Sequence, residues 1–187
     1  MRFNNKSGCI DVASWLPSPN ADDRILPGYV NCLIIHAISL PPEQFGAKFV
    51  EDFFCNRLDE CAHPYFKTIS ELRVSAHFYI PRTGDLVQFV STHCRAWHAG
   101  VSNFRELDKV NDFSIGIELE GCNTKGFTDK QYRTLTDLSR CLMNVYPAIT
   151  KNRIVGHCDI APGRKTDPGP RFDWGRYKSS LQKSDSA

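Results

Sequence analysis

A chain of 187 residues is long enough for one compact domain with a sizeable core, and short for two. Its hydrophobic fraction of 41% can form that core, and its charged fraction of 24% is ordinary for a globular protein. The formal net charge of +2, with Arg164-Lys165 as the dense basic pair, argues against a nucleic-acid-binding surface. No run of about 18 apolar residues is present, which argues against a membrane span.

The eight cysteines are scattered, contain no C-x-x-C pair and stand in apolar stretches. The N-terminal residues 1–20 lack the continuous apolar stretch of a secretory signal. We therefore expect a cytosolic protein whose thiols are mostly buried and free, because a reducing compartment disfavours disulfides. The cysteines are Cys9, Cys32, Cys55, Cys61, Cys94, Cys122, Cys141 and Cys158.

The first quarter of the chain predicts a loop, a strand and a helix, in that order. Residues 14–29 are rich in proline and turn formers and predict a loop. Residues 30–36 form a short apolar run, typical of a strand that is buried on both faces. Pro41-Pro42 then predicts the start of a helix. The apolar stripe of that helix would consist of Phe45, Phe49 and Phe53.

A hairpin and an alternating strand follow. Residues 76–80 and 86–90 predict two strands joined at Arg82-Thr83-Gly84-Asp85, where the glycine permits a positive φ. Residues 114–120 alternate strictly between apolar and polar side chains, which predicts a strand with one apolar face. Glu118 and Glu120 lie on the polar face, which we expect to be the working face of this strand.

The last third predicts a long helix and a strand that ends in a histidine. The segment 128–131 has the form of a capping box, and Pro147 marks the end of the helix. Residues 153–157 predict a further strand. Irregular interleaving of strands and helices, with a hairpin, predicts an α+β (mixed α/β) single domain with helices packed on a central mixed β-sheet. We expect residues 183–187 to form a frayed tail. The apolar positions of the helix are Tyr132, Leu135, Leu138, Leu142 and Val145.

Six histidines are present, and two of them stand where an apolar strand ends, namely His36 and His157. Sites often assemble at the strand ends of a sheet. Asp167 follows His157 within the stiff Pro/Gly segment 156–170, which could fold back to the strand end. Two imidazoles and a carboxylate form a known catalytic zinc set, with a fourth position open for water. Without an H-E-x-x-H or cysteine-rich signature, this spacing leaves open whether the histidines bind a metal or are ordinary core residues.

Several long segments resemble a known enzyme family. The chain is similar, over about residues 12–177, to the cytosolic 1,6-anhydro-N-acetylmuramyl-L-alanine amidases of Gram-negative bacteria. The wider family comprises zinc amidases of type 2, phage amidase lysozymes and animal peptidoglycan recognition proteins. The segments that carry the resemblance are HAISLPPEQFG (36–46), AHPYF (62–66), LRVSAHFYIPRTGDLVQFV (72–90), RAWHAGVS (95–102), NDFSIGIELEG (111–121), YPAI (146–149) and GHCDIAPGRKTDPGPRFDW (156–174).

The resemblance implies roles for particular residues. His36, His157 and Asp167 fall on the zinc-ligand positions of the family, and one zinc ion per chain is implied. Glu118 falls on the general base, with Gly116 leaving room above the metal, although Glu120 shares the same face. The position that stabilises the transition state corresponds to Lys165, and the substrate-facing region contains Arg73, Trp97 and His98.

The implied activity is that of a zinc-dependent N-acetylmuramoyl-L-alanine amidase. Its substrate would be an anhydro-muropeptide, cleaved between the muramic acid and L-alanine during cell-wall recycling in the cytoplasm. Such an enzyme would limit the muropeptide signal for β-lactamase induction, and we expect a monomer. The alternative is a non-catalytic module that binds peptidoglycan fragments. Non-catalytic relatives lack the third ligand, which this chain retains as Asp167.

Overall fold

The structure, a computed structural model, describes residues 1–181. Within them the chain forms strands β1 (Phe3–Asn4), β2 (Cys9–Ile10), β3 (Ser14–Trp15), β4 (Ala21–Asp23), β5 (Cys32–Ile38), β6 (Phe78–Ile80), β7 (Val87–Gln88), β8 (Cys94–Ala96), β9 (Asn103–Phe104), β10 (Leu107–Asp108), β11 (Ser114–Glu120) and β12 (Ile154–Gly156). The helices are α1 (Phe49–Phe54), α2 (Asp129–Val145), α3 (His157–Ile160) and α4 (Trp174–Ser180). Three 3₁₀ helices span Pro64–Thr68, Val110–Phe113 and Lys151–Arg153.

A six-stranded mixed sheet forms the centre of the fold, in the order β12-β5-β11-β6-β7-β3. Strand β11 pairs in parallel with β5 and β6, and β12 pairs in parallel with β5. Strands β6 and β7 are antiparallel and form the predicted hairpin, in which Gly84 adopts a φ of 84°. The predicted mixed sheet with packed helices is confirmed.

The apolar face of β11 packs against α2 in the main hydrophobic core. Helix α2 begins with the predicted capping box, because Thr128 Oγ1 accepts from Gln131 N and Gln131 Oε1 accepts from Thr128 N. Each fully buried leucine or isoleucine stabilises the fold by about 1.5–3 kcal/mol. The facing residues are Ile115, Ile117 and Leu119 of β11 and Leu135, Leu138 and Leu142 of α2.

The predicted helix at Pro41-Pro42 is wrong. The chain forms a turn there, in which Gln44 N donates to Pro41 O, and α1 begins only at Phe49. Glu43 and Gly46 adopt positive φ values of 64° and 86°, which no right-handed helix accommodates. The residues 41–48 therefore form an irregular loop, called the front loop below.

The prediction of mostly buried thiols is also wrong. Among the eight unpaired cysteines, Cys32 in the central strand β5 is buried, Cys61 is exposed and the others are half-buried. Several stand outside the central sheet, such as Cys9 in the β1–β2 pair and Cys94 in the β4–β8 pair. An apolar sequence context does not bury a side chain on a two-stranded sheet, which is covered less completely than a central strand.

The sequence also predicted a frayed C-terminal tail and no membrane-spanning segment. The expected frayed tail at 183–187 lies outside the described residues. No helix among residues 1–181 has the length and the apolar character that crossing a membrane requires.

Candidate functional site

Two histidines and an aspartate meet at one edge of the central sheet. His36 stands in β5, two residues before the end of that strand, and β5 runs parallel to β12. His157 directly follows β12 as the first residue of α3. Because the carboxyl ends of adjacent parallel strands lie side by side, the two imidazoles become neighbours. The loop after α3 returns Asp167 to this edge, where its carbonyl oxygen accepts from Cys158 N at 2.9 Å.

One nitrogen of each imidazole and one carboxylate oxygen converge on a single point. His36 Nδ1 lies 3.0 Å from His157 Nδ1 and 3.2 Å from Asp167 Oδ2, and His157 Nδ1 lies 3.1 Å from that oxygen. In tetrahedral zinc sites, bonds of about 2.0–2.2 Å place ligand atoms about 3.3–3.6 Å apart. The three atoms therefore need to separate by only a few tenths of an ångström to hold such an ion. The donor set fits a metal.

The electrostatics of the cluster favour the same reading. Burial lowers the pKa of His36 to about 4, so that its imidazole is neutral at pH 7. Burial alone would raise the pKa of Asp167, but the contacts with His157 and His36 outweigh it and hold that pKa below its ordinary value. A neutral imidazole and an ionised carboxylate are the protonation states in which these groups bind metals.

Glu118 lies beside the cluster and is the predicted general base. Its Cα is paired with that of His36 across β11 and β5, and its Oε1 lies 3.9 Å from His36 Nδ1. The residue is 9% exposed, and Oε2 has no hydrogen-bond partner among the described residues. Burial and the neighbouring Asp167 carboxylate raise the pKa of Glu118 well above its ordinary value. The carboxyl group lines the cavity, and no hydrogen bond at Oε2 competes with proton transfer.

Glu120, the competitor on the same face, is already engaged. Its Oε1 accepts from Gly46 N at 2.5 Å and its Oε2 accepts from Arg82 N at 3.0 Å. These two bonds tie the front loop to the hairpin beside β11. The contacts distinguish the two glutamates, because both carboxylate oxygens of Glu120 accept backbone hydrogen bonds, whereas Glu118 makes none within the described residues.

The adjacent basic residues Arg164 and Lys165 also differ in whether their side chains are already hydrogen-bonded. Within residues 1–181, the ammonium group of Lys165 has no hydrogen-bond or ion-pair partner, and the side chain lines the cavity over the cluster. Arg164 instead donates from Nη2 to Ala99 O at 2.6 Å and to Val101 O at 2.7 Å. Lys165 is therefore free to meet a ligand, whereas Arg164 is held by the backbone.

A cavity of about 550 Å³ opens over the cluster, within the range of small-molecule sites. Its lining combines apolar side chains with the polar groups of the cluster. Besides His157, Asp167, Glu118 and Lys165, the lining includes Phe53, Ile69, Leu72, Asn123 and Thr166.

The three residues expected to face the substrate are placed differently from one another. His98 borders the cavity, is 8% exposed and has its Nδ1 3.0 Å from His36 Nε2. Arg73 donates to Ser70 O at 2.8 Å on the surface and does not line this cavity. Trp97 is half-buried outside the cavity lining, where its backbone nitrogen donates to Ser75 Oγ. Contact of Arg73 and Trp97 with a substrate stays a prediction.

The expected role of Gly116 is wrong in its detail. A Cβ atom at Gly116 would lie 2.4 Å from His98 Cγ, so the space above this glycine is occupied by an imidazole and is not left open for the metal. Sequence reasoning also missed Ala99, whose carbonyl oxygen lies 3.2 Å from His157 Nε2. A backbone acceptor leaves no signal in a side-chain pattern.

Comparisons with known proteins agree with the site. The profile of the N-acetylmuramoyl-L-alanine amidase family matches residues 27–170. The 1,6-anhydro-N-acetylmuramyl-L-alanine amidase AmpD of Haemophilus influenzae is 54% identical over 177 residues, covering 95% of this chain and 96% of that protein. A crystal structure of a selenomethionine derivative of AmpD has a TM-score of 0.93 and 47% identity, over 97% of this chain and 100% of that chain. A complex of the E. coli amidase AmiD with the substrate anhydro-N-acetylmuramic acid-L-Ala-D-γ-Glu-L-Lys has a TM-score of 0.61 and 27% identity, over 83% of this chain and 59% of that chain.

Proposed function

Because the chain belongs to the N-acetylmuramoyl-L-alanine amidase family, we propose that it hydrolyses the amide bond between 1,6-anhydro-N-acetylmuramic acid and L-alanine in muropeptides. The high identity to AmpD over nearly the whole of both chains supports this bond and this sugar. The AmiD complex supports a muropeptide as the ligand of this fold. The observation that carries the proposal is the convergence of His36, His157 and Asp167 beside an unpartnered Glu118 oxygen.

His36, His157 and Asp167 would hold one zinc ion per chain, since their donor atoms all lie within 4.8 Å of one another. Zinc supplies two kinds of chemistry when it is bound: it lowers the pKa of a water molecule and it polarises the carbonyl group of an amide. The ionised carboxylate of Asp167 and two neutral imidazoles leave a net positive charge at such a site. That charge also favours the ionised form of the buried Glu118 beside it.

Glu118 acts as the general base and then as the general acid. Its carboxylate, whose Oε1 lies 3.9 Å from His36 Nδ1, accepts a proton from the attacking water as the oxygen of that water bonds to the lactyl carbonyl carbon. Glu118 then returns the proton to the nitrogen of L-alanine as the C–N bond breaks. The products are an anhydro-muramic sugar with a free carboxylate and a stem peptide with a free amino group.

Lys165 stabilises the negative charge that develops on the carbonyl oxygen. Its ammonium group borders the cavity and has no partner within the described residues, so no competing interaction must be broken. A cation that is aimed at a developing oxyanion lowers the barrier, because the charge it meets is larger in the transition state than in the substrate.

The decisive experiment is incubation of the purified chain with an anhydro-muropeptide, followed by mass spectrometry. We expect the free sugar and the stem peptide to form, to disappear after treatment with a strong chelator, and to return with zinc. Full activity in a verified metal-free sample would overturn the zinc assignment. Tight binding of the muropeptide by zinc-loaded protein without hydrolysis would favour the alternative, a peptidoglycan-binding module.

We further propose that the protein acts in the cytosol, as a monomer, in the recycling of cell-wall fragments. Its eight unpaired cysteines fit a reducing compartment, where thiols persist. The eight include Cys61 on the surface, and an exposed free thiol is a liability in an oxidising compartment.

A further inference from the structure

A hydrogen-bond chain of three side chains, His36, His98 and Ser114, runs from the metal cluster into the sheet. His36 Nε2 lies 3.0 Å from His98 Nδ1, and His98 Nε2 lies 3.2 Å from Ser114 Oγ. All three residues are buried. Ser114 begins β11, the strand that also contains Glu118. The hydrogen-bond chain therefore connects the metal ligand to the strand of the general base.

The direction of these hydrogen bonds follows from metal binding. A ligand nitrogen carries no proton, so a neutral His36 that presents Nδ1 to the metal must carry its proton on Nε2. That N–H then donates to His98 Nδ1. His98 in turn carries its own proton on Nε2 and donates it to Ser114 Oγ. In this hydrogen-bond chain, Ser114 therefore determines the tautomer of His98, and His98 determines the tautomer of His36.

The His98 ring packs closely against two neighbours, Gly116 and His77. Gly116 lies so close that any side chain there would overlap the imidazole, as the 2.4 Å approach of an added Cβ shows. The His77 ring also packs on it in a T-shaped arrangement, with ring centroids 5.8 Å apart. The backbone nitrogen of His98 donates to Asn111 Oδ1 at 3.2 Å. A ring that is packed against Gly116 and His77 and hydrogen-bonded through both nitrogens orients its partner with little freedom.

We propose that His98 is a positioning residue of the metal centre, which holds the His36 imidazole in the orientation and tautomer that present Nδ1 to the ion. The next residue serves the other imidazole, because Ala99 O accepts from His157 Nε2 at 3.2 Å. Loss of such an outer partner weakens metal affinity by about 10–100-fold in known metalloproteins. The inference rests on the proposed zinc site.

The test compares zinc affinity in two variants of nearly equal shape, measured with a competing chromophoric chelator. In His98→Asn, the amide oxygen can take the place of Nδ1 as the acceptor for His36. In His98→Leu, no acceptor remains. We expect the leucine variant to bind zinc about 10–100-fold more weakly than wild type and the asparagine variant to retain most of the affinity. His93→Leu is the matched control, since His93 is exposed and its ring lies beside Phe3 and Gly8.

The side-chain ¹⁵N shifts of His36 in the zinc-loaded protein supply a readout that packing alone would not move. We expect a protonated, hydrogen-bonded Nε2 in wild type, and loss of that hydrogen bond in His98→Leu. Equal zinc affinity in wild type and His98→Leu, or equal losses in the leucine and asparagine variants, would overturn the positioning role. A wild-type chain that bound no zinc would overturn the metal site itself, which is a distinct result.

Ser114→Ala keeps the proposal testable if His98→Leu does not fold. This change leaves the His98 ring in place but removes the acceptor for its Nε2 proton. We expect a several-fold loss of zinc affinity and a shift of the His98 ¹⁵N signals, because the imposed tautomer is relaxed. Unchanged affinity together with unchanged shifts would overturn the proposal.

Discussion

Nδ1 of His36 lies 3.2 Å from Oδ2 of Asp167, although 131 residues separate them in the chain. The contact exists because β5 and β12 are parallel neighbours, and because the loop after α3 folds back onto their carboxyl ends. A carboxylate that is held between two imidazoles is a metal-binding arrangement as long as both imidazoles are neutral.

Asp167→Asn should remove most of the bound zinc and with it the activity. The amide keeps the shape of the side chain but removes the negative charge that a divalent ion requires. Metal analysis of the purified variant checks this, with Asp137→Asn on the exposed face of α2 as the control. A full complement of zinc in Asp167→Asn would contradict the ligand assignment.

Glu118→Gln should lower kcat by about 10²–10⁴ while zinc content is retained, since general-base catalysis contributes about that factor. Glu120→Gln should act on stability instead, because it places an amide NH₂ group against one of the two backbone N–H donors of Gly46 and Arg82. An unsatisfied buried polar group costs about 1–3 kcal/mol. Chemical denaturation and kcat, measured on both variants, separate the two effects. A larger loss of kcat in Glu120→Gln would reverse the assignment of the base.

Lys165→Gln should lower kcat by about 10²–10³ with zinc content unchanged, by analogy with the removal of an oxyanion-hole donor. Arg164 is unsuitable as a control, because it holds the carbonyl groups of Ala99 and Val101 near His157. Lys67→Gln is better matched, since Lys67 is exposed near Tyr65 at the cavity. Equal losses in both lysine variants would mean that positive charge merely attracts an anionic substrate.

The metal-free chain should lose stability as the pH falls from 7 to 5. Burial lowers the pKa of His36 to about 4 and those of His77 and His98 well below their ordinary value. Below pH of about 6.5 the unfolded chain binds protons at these three histidines that the folded chain does not, which lowers stability. The raised pKa of Glu118 opposes this with one proton bound by the folded chain, so the three histidines determine the sign. Urea denaturation at pH 7, 6 and 5 measures the slope. His36→Asn should flatten it by at most about 1.4 kcal/mol per pH unit, and an unchanged slope would contradict a neutral His36.

Denatured, non-reduced protein should titrate close to eight free thiols, because all eight cysteines are unpaired. A thiol reagent that reports absorbance measures this directly, with a reduced sample as the reference. Recovery of only two or four thiols would point to disulfides, and therefore to an oxidising compartment.

The sequence by itself determined the elements whose signal is local. The alternation of 114–120 and the capping box with its periodic leucines predicted β11 and α2, because side-chain period and capping depend only on neighbouring residues. The ends of apolar strands also pointed to His36 and His157 as a pair, and the Pro/Gly segment after His157 pointed to Asp167. The family resemblance then implied that all three are zinc ligands. The wrong prediction of a helix at Pro41-Pro42 shows the limit of local patterns. Phe45 was assigned to the apolar stripe of that helix only because of its four-residue spacing from Phe49. In the structure Phe45 lies instead under the guanidinium group of Arg82.

Only the tertiary structure decided which groups around the cluster are free and which are held. The alternation of the strand does not distinguish Glu118 from Glu120. In the same way, the basic pair gives no reason to prefer Lys165 over Arg164. Glu120 is engaged by Gly46 of the front loop, whereas Arg164 is engaged by carbonyl groups near His98. These partners stand more than 60 residues away in the chain. A hydrogen bond depends on which segments meet in space, and no local pattern of side chains carries that information.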